Sequence, residues 1–600
     1  MRVSTSDQVP GELTGDERGG AVDHGSFVMP EPLEAIPPTS RADMDAALTT
    51  LRERAVTWTL TDLPDRIALI DELIESTLDA APAWATVAVD AKGIAPGTLA
   101  RGEDWGNGPT LVLRNLALLR RTLADIHDTG RPQPPGIDVG PDGQVRVRVL
   151  PAGPIDRLLF PGFDAEVRLQ PGVSRVEAEA RMGRIYREGY VPRPEVALVL
   201  SAGNVSSIAP MDALYQLFAL DRVVLMKMNP VNEHLGPHLG EAFAPLVRDG
   251  LLRIVYGGRE TGRYLTDHDE VDAIHVTGSD KTYEAIVFGT GDEGRERLER
   301  GEPRLDKPVT AELSNVTPVI VVPGPWSERD LAYHGESIAS MLTNNAGFNC
   351  NATRVVVQHR AWAKRRALLE AIRAELRGAD PRVPYYPGAR ERWTWFMDTY
   401  GHAEVFGPDG EQDVPFTLIP DLDPERDPDL AFTTEPFCGV MSEVALDAPR
   451  SIPEFLDAAV ELCNERLWGT LTASIIVHPR SLTDPLVADA VERAIDRLEY
   501  GSVVVNQAAA ANYFLVSPPW GAYPGAPPTD IQSGTGFVHN TSLLEDVQKT
   551  VVRGPFRTPT KLIWFQSSRV LAEAGPEVLE LVGRGSLRGL PRLALATLRG

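Results

Sequence analysis

Between residues 196 and 278 four short apolar runs, VALVLS (196–201), RVVLMK (222–227), LLRIVY (251–256) and DAIHVTG (272–278), are separated by stretches of helix length. That alternation constrains the fold more than any other feature of the chain. Short continuous apolar runs suit strands buried on both faces, and a helix is the usual crossover between parallel neighbours. MDALYQLFAL (211–220) supplies one such helix, with Leu214, Leu217 and Leu220 on a single stripe. A parallel sheet covered on both faces is expected, with ligands bound at the carboxyl ends of its strands. A second series begins at TAELSNVTPVIVV and continues through TRVVVQ, TLTASIIV and GSVVVN. The fold class is therefore α/β, with two α/β domains. A helical N-terminal region precedes them, as in RIALIDELIESTLDAAPAW, where Ile67, Leu69, Ile70, Leu73 and Ile74 mark one face.

Bulk properties exclude several classes. Six hundred residues exceed what one core holds. A net charge of −25 argues against a nucleic-acid backbone as partner. Three scattered cysteines, Cys350, Cys438 and Cys463, make neither a disulfide framework nor a four-thiolate metal site. They suit a reducing compartment. The first thirty residues lack the apolar centre of a secretory signal, and no membrane-length apolar run occurs. A cytoplasmic protein without a membrane span is expected.

Cys350 stands in NNAGFNCNATR, between a helical stretch (328–345) and the strand RVVVQ. An isolated cysteine is more often buried packing than a nucleophile. It turns reactive where backbone N–H groups, a helix N-terminus or a cation stabilises its thiolate. Small polar neighbours at a helix–strand junction favour an exposed loop over a core position.

The stretches SAGNVSSIAPMDALYQLFALDRVVLMKMNP, VTGSDKTY, AELSNVTP, NNAGFNCNATR and EPFCGV occur in this order. Together they resemble the aldehyde dehydrogenase superfamily over roughly residues 190–550. The resemblance implies an NAD(P)-dependent oxidoreductase with a Rossmann-like nucleotide-binding domain and a catalytic cysteine. Asn204 and Lys227 lie 23 residues apart, as in the family. There the Asn204 amide and the Cys350 backbone N–H would form an oxyanion hole, and Lys227 would bind the adenosine ribose. Gly278 and Ser279 match the phosphate-contacting turn, although Thr282 replaces a usual glycine. Glu312, in ELSNVTP, would be the general base. Glu435 and Phe437, in EPFCGV, would hold the nicotinamide ribose and ring, with Cys438 as packing.

The implied reaction oxidises a small-molecule aldehyde to a carboxylic acid through a Cys350 thiohemiacetal and a thioester intermediate, with NAD or NADP as cofactor and no metal. Pro230 stands where many NAD-preferring members carry a glutamate. Tyr513, Phe514 and Trp520 hint at an apolar aldehyde. An acyl-CoA-forming or acyl-CoA-reducing enzyme, or a non-catalytic homologue, stays open as an alternative. Arg354 follows Cys350 by four residues where the family has five. Either the loop is shortened, which the longer match to its left favours, or Asn349 takes the nucleophile's place.

The expected organisation is a mobile arm at 1–40, the helical region with the nucleotide-binding domain at 41–311, and a catalytic domain at 312–506. A return segment with an oligomerisation role follows at 507–555, then a basic tail at 556–600. A homodimer or homotetramer is the implied assembly. The charged stretch 289–307 reads as a surface insertion.

Overall fold

A computed structural model describes residues 36–410 and 413–599; most of the expected mobile arm lies outside the described residues. Of its last residues, Ile36 donates its backbone N–H to Glu233 Oε1 at 2.9 Å, and Thr39 bonds the backbone of Tyr256.

The first alternating series folds into a six-stranded sheet. Glu195–Leu200 lies at its centre, with Arg222–Lys227 and Leu252–Val255 on one side. Ala273–Thr277 and Val309–Glu312 lie on the other, and these five strands run parallel. Ala273–Thr277 is buried throughout, and Arg222–Lys227 from its second residue on, as two-sided covering demands. The chain moves outward twice, then crosses back to the far side of its first strand. That reversal opens a crevice at the carboxyl ends of Glu195–Leu200 and Ala273–Thr277.

The second sheet has eleven strands. Its parallel core includes Pro318–Val321, Val355–His359, Val440–Leu446, Thr472–Ile476 and Ser502–Val505. Val547–Arg553 pairs in parallel with Ser502–Val505 and antiparallel with Asp164–Leu169. It thereby joins the strands Gly136–Val139, Val145–Leu150 and Asp164–Leu169 to the rest. The amino ends of the second sheet face the carboxyl ends of the first, and the loops of both meet between them.

Leu63–Ala91 and Leu111–Thr129 pack as long helices beside the first sheet. The basic tail is folded on them: Val570–Arg584 packs on both, and Arg584 pairs with Glu75. Between Val547–Arg553 and that helix, residues 554–569 form a strap without helix or strand. It is bound to the helix Glu328–Thr343 through Gln566 N–H to Ser340 Oγ (3.0 Å) and through Tyr333 with Thr558 (2.9 Å). Among the described residues, no helix is long and apolar enough to cross a membrane.

Candidate active site

The crevice is a cleft of about 470 Å³ in which Asn204, Lys227, Gly278, Ser279, Glu312, Cys350, Glu435 and Phe437 all take part. Eight positions spread over 234 residues of chain thus reach one cavity. Those from the first sheet follow strand carboxyl ends, whereas Cys350 and Glu435 precede strands of the second.

Asn204 does not cap the following helix, whose N-cap is Ser207. Its Nδ2 instead donates to the Phe348 carbonyl at 2.8 Å, and its own carbonyl accepts from Asn345 Nδ2 (3.0 Å) and Tyr385 Oη (3.1 Å). The amide is thereby locked to the cysteine loop. Its second N–H is left for a ligand.

Cys350 is partly exposed, while Cys438 and Cys463 are buried. Its Sγ contacts Glu312 Oε1 at 3.3 Å. Asn349 is turned elsewhere: it donates to Asn344 Oδ1 (3.0 Å) and accepts from Asn345 (3.0 Å). The sulfur at residue 350, and not the amide at 349, therefore meets the carboxylate. The segment leading into Cys350 is strained: Asn345, Ala346 and Gly347 have φ of 52°, 55° and 82°. Left-handed backbone at two non-glycine residues costs energy and persists only where the surroundings dictate it. Arg354 supplies much of that constraint. Its guanidinium donates to Gly347 O (2.6 Å), Asn349 O (3.3 Å) and Cys438 O (2.6 Å), pinning the cysteine loop against the Glu435 loop. Arg392 adds bonds to Pro436 O (2.9 Å) and Phe437 O (3.2 Å).

Burial dominates the electrostatics. It pushes the Glu312 carboxyl up to about 7, and Asp212 adds to the rise. Burial, then the charges of Glu312 and Glu435, holds the Cys350 thiol well above its ordinary value. The resting state is therefore a thiol beside a carboxyl that titrates near neutrality. Glu435 is also pushed up to about 7 by burial; neither of its oxygens closes a hydrogen bond, and Arg354 stands 3.7 Å away. Burial brings Lys227 down to about 8.

These features fit a nicotinamide dinucleotide. Glu435 offers two unbonded acceptors. A Cβ built on Gly278 would meet nothing nearer than Thr282 Cβ at 4.0 Å, so the turn leaves space for a phosphate. Ser279 caps its helix by accepting from the Thr282 N–H at 3.2 Å. Anion binding at a helix start follows from its unpaired N–H groups and dipole.

Sequence reasoning missed several participants. Tyr386 lines the cleft and packs on Phe437 at 5.0 Å; Phe348 packs on Tyr385 at 5.0 Å. The paired tyrosines of PYYPG were the visible signal. The stretch 289–307 is more than a surface insertion: its helix Gly291–Arg300 turns Glu293, Gly294 and Arg297 onto the cleft. On the opposite side of Cys350 a small chamber is lined by Tyr513 and Phe514, while Trp520 is buried behind them, 5.4 Å from the Tyr513 ring.

Residues 190–385 match the model of the aldehyde dehydrogenase family. The 4-trimethylaminobutyraldehyde dehydrogenase A of Danio rerio is 31% identical over 147 residues, 24% of this chain and 26% of that protein. The matched stretch thus spans about a quarter of that relative's length. Among solved structures, the NADP-dependent glyceraldehyde-3-phosphate dehydrogenase of Bacillus halodurans C-125, complexed with NADP, is 16% identical. It superposes with a TM-score of 0.55 over 86% of this chain and 92% of that one. An aldehyde dehydrogenase of Mycobacterium tuberculosis complexed with NAD+ gives 16% and 0.55, covering 86% and 91%. Likeness at that identity is a likeness of fold.

Proposed function

Because residues 190–385 match the aldehyde dehydrogenase family, we propose that the chain is a member that oxidises an aldehyde to a carboxylic acid with NAD or NADP. The observation that carries this reading is the 3.3 Å contact between Cys350 Sγ and Glu312 Oε1 in a cleft that Asn204 and Glu435 share.

Glu312 takes the thiol proton, and Cys350 sulfur bonds to the carbonyl carbon. The oxygen that gains charge is held by the free N–H of Asn204 and the Cys350 backbone N–H, which need no rearrangement to act. A nicotinamide dinucleotide, when bound, supplies the hydride acceptor. Lys227 and Glu435 would hold its two riboses, with Gly278 and Ser279 at the phosphates and Phe437 at the ring. Collapse of the tetrahedral adduct leaves an acyl group on Cys350. Once it has released the thiol proton to solvent, Glu312 draws a proton from water, which attacks the thioester and releases the acid. A buried base against the sulfur favours water over CoA as the acyl acceptor. Pro230 carries no carboxylate to repel a 2′-phosphate, and Arg259 and Arg263 also line the cleft, which favours NADP over NAD.

The test is a spectrophotometric assay of the full chain and of Cys350→Ala with NADP+ or NAD+ and a panel of aldehydes. Reduced nicotinamide should form with wild type, faster with NADP+, and fall at least a thousandfold in the variant. Calorimetry should show both proteins binding the dinucleotide. No turnover with any pairing, together with no dinucleotide binding, refutes the proposal.

A further inference from the structure

Cys350 faces two cavities. Opposite the dinucleotide cleft lies a chamber of only about 30 Å³, walled by Asn344, Asn349, Asn351, Tyr513, Phe514 and Trp564. Beyond it lies an outer vestibule of about 310 Å³, and Ser340, Asn344 and Trp564 border both spaces. Trp564 belongs to the strap at 554–569. Its ring stacks on Phe514 at 5.8 Å and 26°, and its Nε1 has no hydrogen-bond partner. Packing alone holds the indole between chamber and vestibule. The strap on either side is fastened by the Gln566 backbone N–H to Ser340 Oγ and by the Lys561 ammonium to Glu336 at 3.1 Å.

We propose that the aldehyde reaches Cys350 from the vestibule, and that Trp564 is the residue that restricts it to a short chain without negative charge. The size limit follows from volume. One water-sized atom needs about 10–15 Å³ of such space, so the chamber holds on the order of two non-hydrogen atoms beyond the carbonyl. The charge limit follows from the walls. Among the described residues, no Lys, Arg or His lines the chamber. The vestibule has Glu103, Glu375 and Asp380 against Arg382, whose guanidinium is already bound to Glu103 at 2.8 Å. An anionic aldehyde would meet repulsion at the mouth and find no countercharge inside. The Asn351 amide suits a small polar substituent such as a hydroxyl, whereas those of Asn344 and Asn349 are bonded to each other.

The substrate part of this proposal rests on the aldehyde-oxidising reading, so the gate is also tested at the thiol itself. Cys350 of the full chain, saturated with dinucleotide, is labelled with iodomethane or 1-iodohexane, each rate being divided by that with free cysteine and followed by peptide mass spectrometry. Wild type should react at least tenfold faster with the methyl reagent. Trp564→Ala should erase that preference, and the milder Trp564→Phe should reduce it. A wild type without size preference, or an alanine variant that keeps it while folded by circular dichroism, overturns the gate. In turnover, kcat/KM should fall at least tenfold from propanal to octanal, and Trp564→Ala should recover octanal at least tenfold. Faster oxidation of succinic semialdehyde than of butanal overturns the charge assignment. Loss of aldehyde oxidation with the labelling pattern intact would sink the proposed activity and leave the gate standing.

Discussion

Replacing Glu312 by glutamine should make the protein more stable and less active at once. The folded carboxyl holds its proton to about 7, whereas an ordinary one releases it near 4.5. Between those values the folded state binds more protons than the unfolded chain. Its stability therefore falls as pH rises from about 4.5, and the loss is complete above about 7. At 1.36 kcal/mol per pKa unit, the rise amounts to roughly 3 kcal/mol of burial cost once Glu312 is ionised. Glutamine keeps the shape without the charge. With an unfolding entropy of roughly 2 cal/mol/K per residue, that energy raises Tm by about 2 °C in a chain of 600 residues. Scanning fluorimetry of Glu312→Gln and wild type from pH 5 to 9 should show a Tm difference that opens through neutrality. Over the same range kcat/KM of wild type should rise through about 7, while the variant loses that inflection and falls at least a hundredfold. A variant less stable than wild type at pH 8, by a margin independent of pH, would refute the assignment of burial as the cause of the shift.

Two further substitutions probe the neighbouring groups. Asn204→Ala should lower kcat by 10² to 10³, the usual consequence of removing one oxyanion donor, and leave the KM for dinucleotide within twofold; a loss under threefold in steady-state kinetics excludes the role. Arg354→Lys should lower kcat at least tenfold, because a single ammonium cannot bridge Gly347 O and Cys438 O as the guanidinium fork does; unchanged kcat would mean that the loop holds its form without the clamp.

The order of motifs and the alternation of strand and helix were readable because both are local in the chain. Each apolar run of the first series became a strand, and the crevice lies where parallel connectivity reverses. The register of the cysteine loop was not readable from local spacing. It depends on three successive left-handed residues and on Arg354 reaching the carbonyl of Cys438, 84 residues further on. Trp564 was invisible for the same reason. Nothing in LIWFQ announces that it borders a chamber whose thiol lies 214 residues earlier. Side-chain pattern encodes burial and period; it does not encode which distant loops share a cavity.

The placement of Val547–Arg553 between Asp164–Leu169 and Ser502–Val505 has a consequence for the order of synthesis. A ribosome releases residues 136–169 long before their partner strand exists. For nearly four hundred codons the nascent chain carries the unpaired edge of Asp164–Leu169, and over about the last forty of them that of Ser502–Val505 as well. Such edges invite pairing with other chains. The large sheet is completed only as translation nears its end, so a chain stopped before that strand would present two unfinished β-surfaces to the chaperone machinery.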